Sequence, residues 1–140
     1  GGGVMLLIVM VHAAALRLIN DRFAKRGAAL SGRRTVWQAD VLLLTTVGAL
    51  LGTHLVEIVI WTATLLLTGL APDRRNAAFF AANTYTTLGY GNFVLPREWQ
   101  MLAPIMAISG LFTFGWTGSV LVNLVAQYNA LRTDRGQANP

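Results

Sequence analysis

One short stretch decides the fold of this chain: residues 84–92, which read TYTTLGYGN. Within it, Gly89 and Gly91 alternate with larger residues. Glycine reaches backbone conformations that are closed to other residues, so a strand with glycine at every second place can turn successive carbonyls the same way. Such a row of carbonyls replaces the hydration shell of a bare cation, and the Thr87 hydroxyl can add one more oxygen. The stretch therefore predicts a cation site that needs no charged ligand.

The residues directly before this site form a short apolar segment, 76–87, rich in alanine, phenylalanine and threonine. A dozen residues are too few to cross a membrane as a helix. We predict that the segment dips into the membrane as a re-entrant helix, with Asp73 and Asn76 as the available caps for its start.

Three longer apolar stretches surround the short segment: 4–19, 41–70 and 99–128. The second has no Lys, Arg or Asp and the third has no charged residue, so both predict membrane-spanning helices. The first is interrupted by His12 and Arg17 and is short for a span. Its alternative is a signal peptide, which the lack of a preceding basic region disfavours. Gly1 to Gly3 are expected to be a cloning remnant or a truncation point, and Pro104 is expected to kink the last helix.

The composition of the 140 residues agrees with a membrane protein. Hydrophobic residues make up 54% and charged residues 12% of the chain, and the mean hydropathy is +0.53. A soluble domain carries about 25% charged residues. The lack of cysteine excludes disulfide scaffolds and cysteine-based metal sites. The net charge is +5, but the chain lacks the clustered basic face of a nucleic-acid binder. The sequence contains no phosphate loop, serine nucleophile elbow or acidic pair, so no motif in it suggests an enzyme or an organic substrate.

The basic residues predict the orientation in the membrane. Eight of them lie in the loop after the first stretch and in the tail, against three between the second and third stretches. The positive-inside rule then places 71–98 outside and the C-terminus inside. We expect a multi-pass protein of a plasma membrane, of the bacterial inner-membrane kind, whose basic loop contacts anionic lipids.

Residues 84–92 resemble the signature of potassium channels, T-x-T-T-x-G-Y-G followed by an acid or an amide, and the resemblance covers residues 41–128. It implies an all-α fold of outer helix, re-entrant pore helix with selectivity filter, and inner helix, to which this chain adds an N-terminal helix. It implies a homotetramer that passes K⁺ and needs no other cofactor. The filter would be 87–91, with K⁺ held at carbonyls of Thr87, Leu88, Gly89 and Tyr90 and with Gly91 closing the row.

The resemblance also implies roles for residues around the filter. The expected filter supports are Asn83, Thr84, Thr86 and Asn92. The expected hinge glycines are Gly110 and Gly115, and the expected cavity-lining residues are Leu111, Phe114 and Gly118. This chain departs from the family at Leu88, where valine is commoner, at Asn83 and Asn92, which replace an acidic pair, and at Phe79-Phe80, where two tryptophans are frequent.

Several features keep a second interpretation. The glycines of the last span also suit close helix packing. His54 and Glu57 lie three apart inside the second span, where ionisable groups are functional candidates by default. We weigh three roles for this pair: a polar contact between subunits, tuning of gating by pH, and a metal site. Arg17 alone does not make a voltage sensor.

The sequence thus predicts an N-terminal helix with a basic loop at 1–38, a pore domain at 39–128 and a short tail at 129–140. Its function is predicted to be potassium conduction. A weakly selective cation channel of the same architecture and a non-conducting membrane subunit are the alternatives.

Overall fold

The computed structural model describes residues 1–29, 36–91 and 93–137, and helices are the regular elements in these ranges. They are α1 (Gly2–Ala29), α2 (Val36–Leu67), α3 (Arg74–Tyr85), a short 3-10 turn (Arg97–Trp99) and α4 (Leu102–Gln137). The all-helical prediction is confirmed.

Three of the helices are long and apolar enough to cross a membrane, over Gly2–Ala28, Trp37–Leu67 and Arg97–Ala130. At 1.5 Å per residue each exceeds a hydrocarbon core of about 30 Å. Many of their apolar side chains face outward, among them Leu44, Leu55 and Val59 of α2. Lipid is the solvent that accepts such a surface, so the chain is a membrane protein. The first helix gains its length by continuing from its apolar stretch through the basic residues that follow.

The short helix α3 begins where the sequence predicts a cap. Asp73 is the N-cap, and its carboxylate accepts the Asn76 backbone N–H at 2.9 Å and the Asn76 side-chain amide at 2.7 Å. These two hydrogen bonds hold the pKa of Asp73 below its usual value. The helix ends at Tyr85, before the predicted residue 87, because Thr87 adopts a left-handed backbone with φ 59°.

Helix α3 packs between α2 and α4, and α1 packs against the same two helices. Two apolar clusters hold the bundle together. One surrounds the end of α3 and contains Ile8, Trp61 and Met106. The other contains Leu16, Phe23, Leu42, Leu50 and Leu124. Since α1 contributes to both clusters, it belongs to the same packed unit as α2, α3 and α4.

Pro104 does not kink α4, contrary to the prediction. The helix begins at Leu102, so the proline lies in its first turn. The first N–H groups of a helix have no partner inside it, and a proline there loses no hydrogen bond.

Candidate functional site

The loop after α3 has an alternating backbone. Thr87, Gly89 and Gly91 have positive φ angles of 59°, 66° and 135°. Left-handed backbone thus recurs at every second residue, which is the alternation that the two glycines predict. Thr87 reaches it despite a β-branched side chain, at a cost of about 1–3 kcal/mol. A strained residue persists only where its surroundings hold it, so the contacts of this loop matter.

The C-terminal end of α3 holds the start of the loop. The carbonyl of Asn83 accepts the backbone N–H of Leu88 at 2.9 Å and that of Gly89 at 3.5 Å. The carbonyl of Thr84 accepts the N–H of Thr87 at 3.0 Å. The last helical carbonyls, which otherwise have no partner inside the helix, are satisfied by the loop that follows.

The Asn83 side chain holds the other end of the loop. Its amide nitrogen donates to the Tyr90 carbonyl, and its amide oxygen accepts the Tyr90 N–H at 3.3 Å. Asn83 is buried, whereas Tyr90 is exposed, so these bonds are part-buried. The structure therefore brings this residue to the loop that it was predicted to support. Asn92, its predicted companion, lies outside the described residues.

The remaining predicted supports contact the loop less directly. The Thr86 hydroxyl donates to the Ala82 carbonyl at 2.7 Å, and Thr84 contributes its backbone carbonyl. The Phe79 ring lies so close to Gly91 that a Cβ there would sit 2.9 Å from it. A side chain at position 91 would therefore displace Phe79 as well as strain the backbone.

The loop itself lies on the surface of the single chain. Leu88 is 70% exposed and Tyr90 is 73% exposed. The strained backbone of the loop thus carries two large outward side chains.

Helix α4 meets the foot of this loop at Gly110. A Cβ on Gly110 would overlap the Tyr85 carbonyl oxygen, so only glycine lets the two helices approach this closely. A Cβ on Gly115 or Gly118 would meet no atom within 4 Å. The close contact favours a packing role at Gly110. The hinge roles of Gly110 and Gly115 stay predictions.

The predicted cavity-lining residues of α4 are three and four apart and share one exposed face of the helix. Leu111 is 60% exposed and Phe114 is 40% exposed, and the Phe114 ring also stacks on His54 with centroids 4.1 Å apart. Gly118 is exposed one turn further along the helix. Their role in lining a cavity stays a prediction.

A buried cluster of polar side chains lies behind α3. We call it the polar ring; its members are His12, His54, Glu57, Tyr85 and Thr117. The Glu57 carboxylate lies 2.7 Å from His12 Nδ1 and accepts the Tyr85 hydroxyl. His54 Nδ1 lies 2.8 Å from the Tyr85 oxygen. The Nε2 atoms of His12 and His54 lie 3.3 Å and 3.0 Å from the Thr117 hydroxyl. Every helix of the bundle contributes at least one member.

Two further hydrogen bonds flank the polar ring. The Thr113 hydroxyl lies 2.7 Å from the Tyr85 oxygen, and the Trp61 indole donates to the Ser109 hydroxyl at 3.0 Å. Trp61 is fully buried, so it is a packing residue of the bundle rather than an anchor at the membrane surface.

This geometry corrects one interpretation of His54 and Glu57. Both contact groups within their own chain, so they are not set aside for a contact between subunits. With His12 they form a group whose ligand atoms all lie within 4.8 Å of one another, close enough to hold a metal ion. Yet each ring nitrogen and each carboxylate oxygen already has a hydrogen-bond partner, and the distances favour a hydrogen-bonded network.

Sequence reasoning missed His12, Tyr85 and Thr117 as members of a site. His12 offered a usable signal, since an ionisable residue in an apolar stretch is a functional candidate by default. Tyr85 and Thr117 gave no signal, because tyrosine and threonine are common in membrane helices and only the fold brings them to Glu57.

Comparison with known proteins agrees with this arrangement. A family model described as an ion channel matches residues 41–127, which is well over half of the chain. No curated protein and no solved structure matches the chain. The matched residues contain α3, the alternating loop after it and most of the helices on either side. The chain therefore belongs to the ion channel family, a class of transport proteins rather than enzymes.

Proposed function

We propose that this protein is a potassium-selective channel that acts as a homotetramer. The observation that carries the proposal is the left-handed backbone at Thr87, Gly89 and Gly91. Alternation of this kind suits a strand whose carbonyls line one side, and backbone carbonyls are the ligands that replace the water around K⁺. The Asn83 amide supports the strand by holding Tyr90 at both of its backbone groups.

A single chain supplies one such strand, and a cage of oxygens needs several. Four copies around one axis give rings of carbonyls from Thr87, Leu88, Gly89 and Tyr90 in the proposed filter. The exposure of Leu88 and Tyr90 supports this, because neighbouring copies would cover both side chains. The outward apolar residues of α4 support it as well: Leu111, Phe112, Val122 and Val125.

Ions would pass in single file, and repulsion between neighbouring ions would weaken the binding of each one. The C-terminal end of α3 directly precedes the filter, and its partial negative charge would favour cations over anions on the inner side. Leu88 replaces the commoner valine, but the side chain supplies no ligand, so we expect selectivity to be kept. Gly115 is the proposed hinge of α4, since it has room on every side.

Anionic lipid would bind at the cytoplasmic ends of α1 and α2. A groove of about 330 Å³ lies there, with apolar walls that include Ile19, Phe23 and Leu42. Arg22 and Arg26 also line it, one helical turn apart. An acyl chain would lie against the apolar wall, and the lipid phosphate would pair with the two arginines.

Purified protein reconstituted into liposomes tests the proposal. Native mass spectrometry should give four chains per particle. Dilution-driven flux should be fast with K⁺ inside and at the level of empty liposomes with Na⁺ inside. Equal flux of both ions would favour the weakly selective channel. Tetramers without flux under any condition would favour the non-conducting subunit.

A further inference from the structure

The polar ring is closed, and conduction through the filter does not use it. Its hydrogen bonds lead from His12 to Glu57, to Tyr85, to His54, to Thr117 and back to His12. Five side chains thus share five hydrogen bonds. His12, Glu57 and Tyr85 are fully buried and His54 is 4% exposed, whereas Thr117 is half-buried, so four of the five members are shielded from water.

The protons in this ring can be counted. The Tyr85 hydroxyl donates to Glu57, so its oxygen accepts a proton from His54 Nδ1. Glu57 accepts the other proton from His12 Nδ1. Thr117 has one hydroxyl hydrogen for two Nε2 atoms, so it donates to one histidine and accepts from the other. All five bonds are therefore made when one histidine is an imidazolium and Glu57 is a carboxylate, and the ring is then neutral.

A further proton changes the charge of the ring. With one more, both histidines are imidazolium ions that donate to the Thr117 oxygen, and the buried ring gains a positive charge that no group in it compensates. The titratable groups that face one another here are His12 of α1, His54 and Glu57 of α2, and Tyr85 of α3. Helix α4 contributes hydroxyl and aromatic groups at residues 113–117 and, among the described contacts, no charge. Acidification therefore places an uncompensated charge in the buried ring.

Tyr85 connects the ring to the filter. It is the last residue of α3, two before Thr87, and it is fully buried. Its hydroxyl belongs to the ring, while its carbonyl is pressed against Gly110. Displacement of its side chain therefore moves the point from which the strained loop starts.

We propose that His12 is a positioning residue for the filter. Through the polar ring, α1 fixes Tyr85 and with it the loop of residues 86–91, and a proton added to the ring releases this hold, so that conduction falls on acidification. The link to conduction rests on the proposed function, whereas the link between His12 and the loop does not.

Hydrogen exchange of the full chain in nanodiscs tests the link between α1 and the loop. His12→Ala should raise the exchange rate of amides in 85–90 by about tenfold, the effect of losing one hydrogen bond to a charged group. Leu16→Ala is the matched control, because Leu16 is one turn away on α1 and equally buried but packs in the other apolar cluster. Equal exchange in the two variants would overturn the proposal.

The pH profile of K⁺ flux separates positioning from simple packing. Wild-type flux should fall severalfold between pH 7.5 and pH 5. His12→Asn keeps a donor for Glu57 but removes one of the two histidines, so a second imidazolium cannot form in the ring. It should keep the flux at pH 7.5 and lose the dependence on pH, and it also replaces His12→Ala if that variant does not fold. A wild-type profile in His12→Asn would overturn the proposal. If wild type passes Na⁺ as fast as K⁺ while the exchange difference persists, the proposed selectivity fails and the positioning role stands.

Discussion

The filter loop and the polar ring meet at Tyr85 but are built in opposite ways. The loop is local: its hydrogen bonds join residues at most seven apart, and they involve backbone groups, the Asn83 amide and the Thr86 hydroxyl. The ring is distant: its members run from His12 to Thr117, and side chains make all of its bonds. The pore thus separates the surface that would contact ions, which is compact in sequence, from its support, which only the packed bundle assembles.

The largest effect on K⁺ flux is expected from a substitution in the filter loop. Gly89→Ala places a Cβ on a residue with φ 66°, which costs about 1–2 kcal/mol, and adds this strain to that of Thr87 in a loop whose alternation depends on both residues. We expect K⁺ flux into liposomes to fall to the level of empty vesicles. Gly48→Ala is the control, because it adds a Cβ inside α2 where no atom lies within 4 Å. If Gly89→Ala kept selective flux, the selectivity filter would have to lie outside this loop.

This contrast also explains what the sequence could predict. The glycine spacing and the apolar flanks of 84–92 encode the loop within a short stretch of sequence. The membrane helices, the cap at Asp73 and the place of Asn83 beside the loop could therefore be predicted from the sequence. The partners of Glu57 do not follow, because His12 and Thr117 are distant in sequence and no local pattern links them. The predicted kink at Pro104 was wrong because the exact start of a helix depends on packing.

The stability contributed by the polar ring should fall most when its carboxylate, Glu57, is removed. Glu57→Ala leaves His12 Nδ1 and the Tyr85 hydroxyl without their buried acceptor. Breaking a buried pair in this way costs about 3–5 kcal/mol. Thermal unfolding in detergent should show a large loss of stability, with Val56→Ala, which removes an exposed side chain, near wild type. A wild-type melting temperature for Glu57→Ala would show that the ring does not stabilise the bundle.

A substitution at Gly110 tests the helix contact beside Tyr85, where the filter loop and the polar ring meet. Gly110→Ala forces α4 away from the Tyr85 carbonyl, and overpacking of this kind costs about 1–3 kcal/mol. Gly115→Ala has room for its methyl group and should be neutral or slightly stabilising. The same melting experiment compares the two. If Gly110 were only a hinge, both variants would melt alike and Gly110→Ala would alter channel opening alone.

The smallest effect is expected at the far end of α3. The hydrogen bonds that lower the pKa of Asp73 stabilise the fold above the usual carboxyl pKa of about 3.9 and are lost as the pH falls through the lowered value. Asp73→Asn keeps a capping oxygen without a titrating proton, so the difference in melting temperature between wild type and Asp73→Asn should shrink on acidification. A constant difference from pH 6 to pH 3 would mean that the cap charge adds nothing.

The most direct test of potassium selectivity is the reversal potential of the purified protein in a planar bilayer with K⁺ on one side and Na⁺ on the other. We expect a reversal near the potassium equilibrium potential at neutral pH, because rings of carbonyls from 87–90 replace the water around K⁺. A reversal near zero would contradict a selective filter in this loop.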